Sequence, residues 1–354
     1  MSEKKNLCCS MIVKNTEETI ERAIRSVKPI CRQIVVVDTG SFDSTPMIAS
    51  RLGAELHFFR WNNDFSEARN YSLKFPRTEW VIILDSDEEL VTDCLIKNIH
   101  LLDNNHTGGI RAIIKNYLNP ENSASDIIAA ENMSIIEHKY TRIFRIRNSD
   151  GERLPIKFTG KIHEQISDSL ISCGYEIIDS EIIINHFGYT AKNPDKINRN
   201  LEMLKSELDK NPDDLWILFH LAETVFGGGN LNEAEKYFRK LFENYNKPEL
   251  KDLFPPEHYE MARIRLAQIE IQKNNFQRVN ELLNFESSDF NRDGLRLYLM
   301  AVSFVLSGNL ESARDLINRQ PLLGTNMLSQ KQIYELINTI NKIENIDKMK
   351  ISKK

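Results

Sequence analysis

Short apolar runs alternate with amphipathic stretches over the first ninety residues. LCCSMIV, QIVVVD, AELHFF and EWVIIL read as strands. They are too apolar to face water on either side, so the pattern predicts a mostly parallel sheet covered by helices on both faces. TEETIERAIRSV, SFDSTPMIASRL and NDFSEARNYSLKF are the intervening helices. Thr16 is the expected cap of the first helix, and Ile20, Ala23, Ile24 and Val27 form its apolar face. Pro46 fits the first turn of the second. In such sheets ligands bind beyond the carboxyl ends of the strands. Val13-Lys14-Asn15, Asp38 and Asp85 each close an expected strand, so these positions should meet at one crevice.

The pattern loosens from about residue 103. GGIRAIIKNYL, YTRIFRIR, PIKFTGKIHEQI and EIIINHFGY predict further strands, and NPENSASDIIAAENMSIIEH reads as a loop with one helical turn. Past Lys192 the pattern is helical and repeats. Ala222 precedes Ala234 by twelve residues, Ala267 precedes Val279 by twelve, and Ala301 precedes Ala313 by twelve. Around them lie GGGNLNEAEKYF, KNNFQRVNELL and SGNLESARDLI. The spacing from Ala267 to Ala301 is 34 residues, and the longer step from Ala222 to Ala267 fits an insertion around NKPELKDLFPP. This is similar to tetratricopeptide (TPR) repeats, in which small residues let two antiparallel helices approach closely. The expected boundaries are 1–192 for the α/β domain, 193–345 for the repeats and 346–354 for a solvated, lysine-rich tail.

Composition narrows the function. A net charge of -5 over 354 residues argues against a nucleic-acid partner. No apolar run reaches the roughly 18 residues needed to cross a bilayer, and the first residues do not read as a signal peptide. Five scattered cysteines, none at zinc-ligand spacing, read as reduced core residues of a cytoplasmic protein.

VIILDSDEEL poses the chemical question. Four apolar residues run into Asp85, Ser86, Asp87, Glu88 and Glu89. Carboxylates this close repel unless something cationic lies beside them. One reading is the acidic first turn of a helix. The other is a hard divalent cation held by Asp85 and Asp87, which face the same side if the segment is extended, and completed by phosphate oxygens.

IVKNTEETI, VVVDTGSFDST, FSEARN and WVIILDSDEEL, in this order and near these spacings, resemble family 2 glycosyltransferases of the GT-A fold over residues 6 to about 190. The resemblance implies inverting transfer of a sugar from a nucleotide diphosphate, a UDP-sugar foremost. It places Val13, Asn15 and Glu17 along the nucleotide and Asp38 on the base. Arg69 falls near base or diphosphate, Asp85 near ribose and metal, Ser86 on the nucleotide, and Asp87 on the metal. The resemblance also puts an acidic residue, here Glu164, in the acceptor pocket as general base, and a late histidine, here His186, on the metal. An imidazole ligand favours manganese over magnesium.

The combination of donor domain and repeats resembles the sublancin-type transferases that place sugars on cysteine or serine of bacteriocin peptides. That implies a peptide acceptor held by the repeats. Transfer to a surface polysaccharide or glycolipid stays open. So does a non-catalytic TPR scaffold, against which the intact Asp38, Arg69, Asp85 and Asp87 set argues.

Overall fold

The computed structural model describes residues 5–117, 135–187, 194–251, 254–325 and 327–351. The chain divides into two compact units, the first running up to Lys192 apart from four residues of the undescribed 118–134 stretch, the second from Asn193 onward.

The first unit alternates strand and helix as the pattern predicts. β1 (Lys5–Val13), α1 (Ile20–Val27), β2 (Cys31–Asp38), α2 (Thr45–Arg51), β3 (Glu55–Phe58), α3 (Phe65–Ser72) and β4 (Trp80–Ile83) follow in order. Then come β5 (Glu88–Leu90), α4 (Thr92–Lys97), β6 (Thr107–Tyr117), β7 (Ile135–Arg145), α5 (Ser167–Ser172) and β8 (Glu176–His186). Helix α1 starts one turn later than expected. Thr16 is not its cap; the Thr16 carbonyl instead accepts the Thr19 and Ile20 N–H groups in a preceding turn. The expected strand at PIKFTGKIHEQI is absent. Residues 159–165 form an irregular loop, pinched by the Thr159–Gln165 bridge and turned by left-handed backbone at Gly160 and His163.

Among the described residues one eight-stranded sheet forms, in the order β3-β2-β1-β4-β7-β6-β8-β5. The first four strands are mutually parallel, β7 runs against β4 and β6, and β5 runs against β8. Alternate residues of each inner strand enter two separate cores. Cys9, Met11, Val36 and Ile82 pack with α1 on one face; Cys8, Val37, Val81 and Ile83 pack with Leu73, Phe144 and Phe158 on the other. Burial on both faces is why these strands read as continuous apolar runs. The register pairs Val13 with Asp38 and Ser10 with Ile83, which brings the ends of β1, β2 and β4 to one edge.

The second unit is helical: α6 (Pro194–Lys210), α7 (Leu215–Gly227), α8 (Leu231–Tyr245), α9 (Pro248–Lys251), α10 (Pro256–Gln272), α11 (Phe276–Leu283), α12 (Phe290–Leu306), α13 (Leu310–Ile317), α14 (Gln320–Gly324) and α15 (Gln330–Ile351). Three helix pairs carry the repeat. Ala222, Ala234, Ala267, Val279, Ala301 and Ala313 are all fully buried, as the twelve-residue offsets require. A second regularity accompanies them. Gly229, Asn274 and Gly308 take left-handed backbone, and the next residue, Asn230, Asn275 or Asn309, caps the second helix of its pair through its side-chain oxygen.

Candidate active site

The loops after β1 and β2 are knitted together. Asn15, itself left-handed (φ 52°), donates its N–H to Ser41 Oγ at 2.8 Å and accepts the Phe42 N–H on its side-chain oxygen at 3.0 Å. Glu17 accepts the Ser44 N–H at 2.9 Å. The Val13 carbonyl accepts both the N–H and the hydroxyl of Thr39. Val13 is therefore an apolar wall with a satisfied carbonyl, and Asn15 and Glu17 hold the rim.

Inside this rim lies Asp38, 1% exposed. One carboxylate oxygen accepts the Gly40 and Ser41 N–H groups, both at 2.8 Å. The other, Oδ2, is buried with no hydrogen-bond partner. A buried acceptor left unmatched is costly, and a ligand N–H would satisfy it. Gly40 serves the turn through its backbone: φ is +110°, while a Cβ would meet nothing within 4 Å.

Beyond β4 the acidic run does not start a helix. The Glu88 N–H donates to the Asp85 carbonyl at 3.1 Å, closing a tight turn over Ser86 and Asp87 that leads into β5. Asp85 and Asp87 are thus set by a turn, where the sequence suggested an extended segment. Each of the four carboxylates has its own cationic neighbour. Asp85 pairs with Arg69 and lies 3.6 Å from Arg142. Asp87 lies 3.6 Å from His186. Glu88, buried, accepts from Arg142 at 2.6 Å and reaches back to the Asp85 N–H at 2.9 Å. Glu89 faces Arg22 at 3.8 Å. This pairing is how a buried strand can end in four acids.

Arg69 is the hub. Helix α3 is capped by Asp64, and Ser72 ties it to the sheet by accepting from Ser10 and donating to the Arg69 carbonyl. The guanidinium is 2% exposed. It donates to Asp85 and, through Nε at 3.1 Å, to Glu164, while Nη1 is buried without a partner. Burial alone would push the Asp85 carboxyl up, but Arg69 and Arg142 outweigh it and hold the group below the usual carboxylate range. Burial pushes the Glu88 carboxyl up despite Arg142.

His186 ends β8 opposite Asn116 of β6 and Glu88 of β5. Its Nδ1 lies 2.7 Å from the Asn116 side-chain oxygen, and its Nε2 faces Asp87. Burial works against a charged imidazole here, yet Asp87 and its acidic neighbours outweigh it and raise the His186 pKa. Asp87 and His186 fit a divalent cation: a hard oxygen and an oriented nitrogen side by side. A proton and a metal ion compete for that nitrogen. Asp85, the third expected ligand, is turned to the arginines. Among the described residues no set of three His, Cys, Asp or Glu side chains is gathered around one point.

Arg142, Glu88 and Asn116 were not singled out from the sequence. Arg142 left one signal: a charged residue within the apolar run of YTRIFRIR needs a buried carboxylate near it.

The sequence is similar to known proteins. Residues 8–158 match the model of glycosyl transferase family 2. The match lies within the first unit. Its mixed sheet is GT-A-like, and helices follow it. A TPR repeat-containing protein of Synechococcus elongatus is 28% identical over 246 residues, covering 66% of this chain and 55% of that protein. The SPbeta prophage-derived glycosyltransferase SunS of Bacillus subtilis is 24% identical over 296 residues, covering 82% of this chain and 65% of that protein. The chain thus spans between half and two thirds of the length of these relatives. A solved structure of glucosyl-3-phosphoglycerate synthase from Mycobacterium tuberculosis superposes with a TM-score of 0.35 at 17% identity, over 58% of this chain and 79% of that one. Among the described residues no helix is long and apolar enough to cross a membrane.

Proposed function

We propose that the chain transfers a sugar, with inversion, from a UDP-sugar to the cysteine or serine side chain of a peptide. The observation that carries the reading is Arg69: buried, bridging Asp85 and Glu164, with its Nη1 amino group unspent. A buried guanidinium with a spare donor suits a phosphate oxygen. The unmatched Asp38 oxygen suits a base with a ring N–H, as uracil has and adenine and cytosine lack.

The leaving diphosphate gains charge as the glycosidic bond breaks. Asp87 and His186, with Asp85 beside them, would hold the divalent ion, manganese by the imidazole argument. When bound, that ion neutralises the diphosphate. Glu164 takes the acceptor proton while the acceptor attacks the anomeric carbon from the face opposite the diphosphate. Its tie to Arg69 keeps its carboxylate close to the donor site without coordinating the ion. A thiol acceptor would need this base less than a hydroxyl, because it ionises more readily. The helical repeats supply the peptide surface.

The test is intact-mass analysis after incubation with Mn²⁺, a panel of UDP-sugars and peptides holding one cysteine or one serine. The expected result is one added sugar mass on that side chain. UDP release with sugar found only on glycan or glycolipid acceptors would replace the peptide reading with the polysaccharide one. No UDP release from any donor would leave the scaffold reading.

A further inference from the structure

Glu164 stands on a loop with little regular structure to hold it. Among the described residues the Thr159–Gln165 bridge closes this loop, with two reciprocal backbone hydrogen bonds of 2.9 Å. Gly160 and His163 take left-handed backbone within it. Such a loop does not by itself fix a carboxylate to the fraction of an ångström that proton transfer needs.

Helix α3 supplies what is missing. The Asn70 side chain donates its amide to the Phe158 carbonyl at 2.9 Å and accepts the Phe158 N–H at 2.8 Å. The two bonds also define the amide's orientation, since only one arrangement of oxygen and nitrogen satisfies both. Asn70 thus imitates a neighbouring strand, 88 residues away in sequence, at the point where the loop leaves the core. Phe158 is buried and packs edge-on against Phe144. A further tie joins the same two segments: the Phe65 N–H donates to the Lys161 carbonyl at 2.8 Å. Adjacent residues of α3 therefore act on the same loop. Arg69 holds the Glu164 carboxylate, and Asn70 holds the backbone that delivers it.

We infer that Asn70 is a positioning residue for Glu164, acting by clamping the root of its loop. The inference rests on the reading of Glu164 as the general base. Gln33 also bridges distant main chain, but through two different residues, Phe75 and Arg77; Asn70 bonds both main-chain groups of a single distant residue.

A double-mutant cycle tests it, using UDP release from whichever of UDP-glucose, UDP-galactose and UDP-N-acetylglucosamine the full chain hydrolyses fastest with Mn²⁺. Asn70→Ala should slow the reaction by about tenfold or more, with UDP affinity within about twofold of wild type. Glu164→Gln should slow it by about 10² to 10⁴. In the Glu164→Gln background, Asn70→Ala should cost almost nothing, because the group it positions is gone. Asn70→Asp, which can still accept the Phe158 N–H but cannot donate to the carbonyl, should fall between wild type and Asn70→Ala. Hydrogen exchange needs no substrate: Asn70→Ala should speed exchange in residues 156–166 and leave the rest of the sheet unit unchanged. Equal slowing by Asn70→Ala in both backgrounds, or unchanged exchange in the loop, would overturn the inference. A wild-type rate in Glu164→Gln would instead remove the base assignment on which it stands, a separate and recognisable failure.

Discussion

Arg69 shows how one side chain can carry a site. Its guanidinium meets two carboxylates in different directions and keeps its Nη1 amino group for a third group. A lysine ammonium is a point charge and cannot span both. Arg69→Lys should therefore weaken UDP binding by tenfold or more, about 1.4 kcal/mol or above. Stability should fall by at most about 3 kcal/mol, because Asp85 keeps Arg142 and Glu164 is only partly buried. Titration with UDP and a thermal melt measure the two effects. Wild-type affinity in this variant would remove Arg69 from the donor site. Asp38, Arg69, Asp85 and Asp87 stood out as candidates in the sequence because motif order and strand ends mark them, and Glu164 and His186 because the family resemblance points to them. Their partners did not. Glu88 looked like part of an acidic helix start, and Arg142 and Asn116 sit on later strands whose pairing no local pattern encodes.

Elements were most legible where burial on both faces or a helical period dominates. β1, β2, β4 and the paired repeat helices fall where their apolar pattern puts them. The pattern misleads where backbone geometry decides. PIKFTGKIHEQI has a strand-like composition, yet left-handed Gly160 and His163 and the clamp from Asn70 make it a loop. The DSD segment reads as extended, yet the Glu88 to Asp85 bond closes a turn. In the helical unit, Gly294 marks a close approach that the repeat spacing does not reveal. A Cβ there would lie 2.1 Å from the Pro321 carbonyl oxygen and 2.5 Å from Thr325 Cβ. Gly-to-Ala in a helix interior is ordinarily worth up to about 1 kcal/mol of stabilisation. Here the clash is with backbone and should win. Gly294→Ala should destabilise the helical unit by about 1–3 kcal/mol, seen as a lower melting temperature with UDP binding unchanged. A raised melting temperature would show that α14 can move away from α12 at little cost.

At the scale of the molecule, a unit that we propose binds metal and nucleotide is followed in the same chain by a helical unit. The candidate residues collect in the loops after β1, β2 and β4 and on β8, where the strands of the sheet end. The repeats bury small residues at fixed offsets, which leaves their outer faces for the acceptor surface we propose. The central claim is that the first unit binds a nucleotide diphosphate through a divalent ion held at Asp87. Calorimetric titration of UDP into the full chain, with Mn²⁺ and with EDTA, tests this most directly when repeated on Asp87→Asn, which keeps the shape and removes a charged ligand. The expected result is that Mn²⁺ tightens UDP binding by tenfold or more in the wild type, about 1.4 kcal/mol, and has no such effect in Asp87→Asn, whose fold stays intact. Equal UDP affinity with Mn²⁺ and EDTA in the wild type, or an undiminished Mn²⁺ effect in the variant, would contradict it.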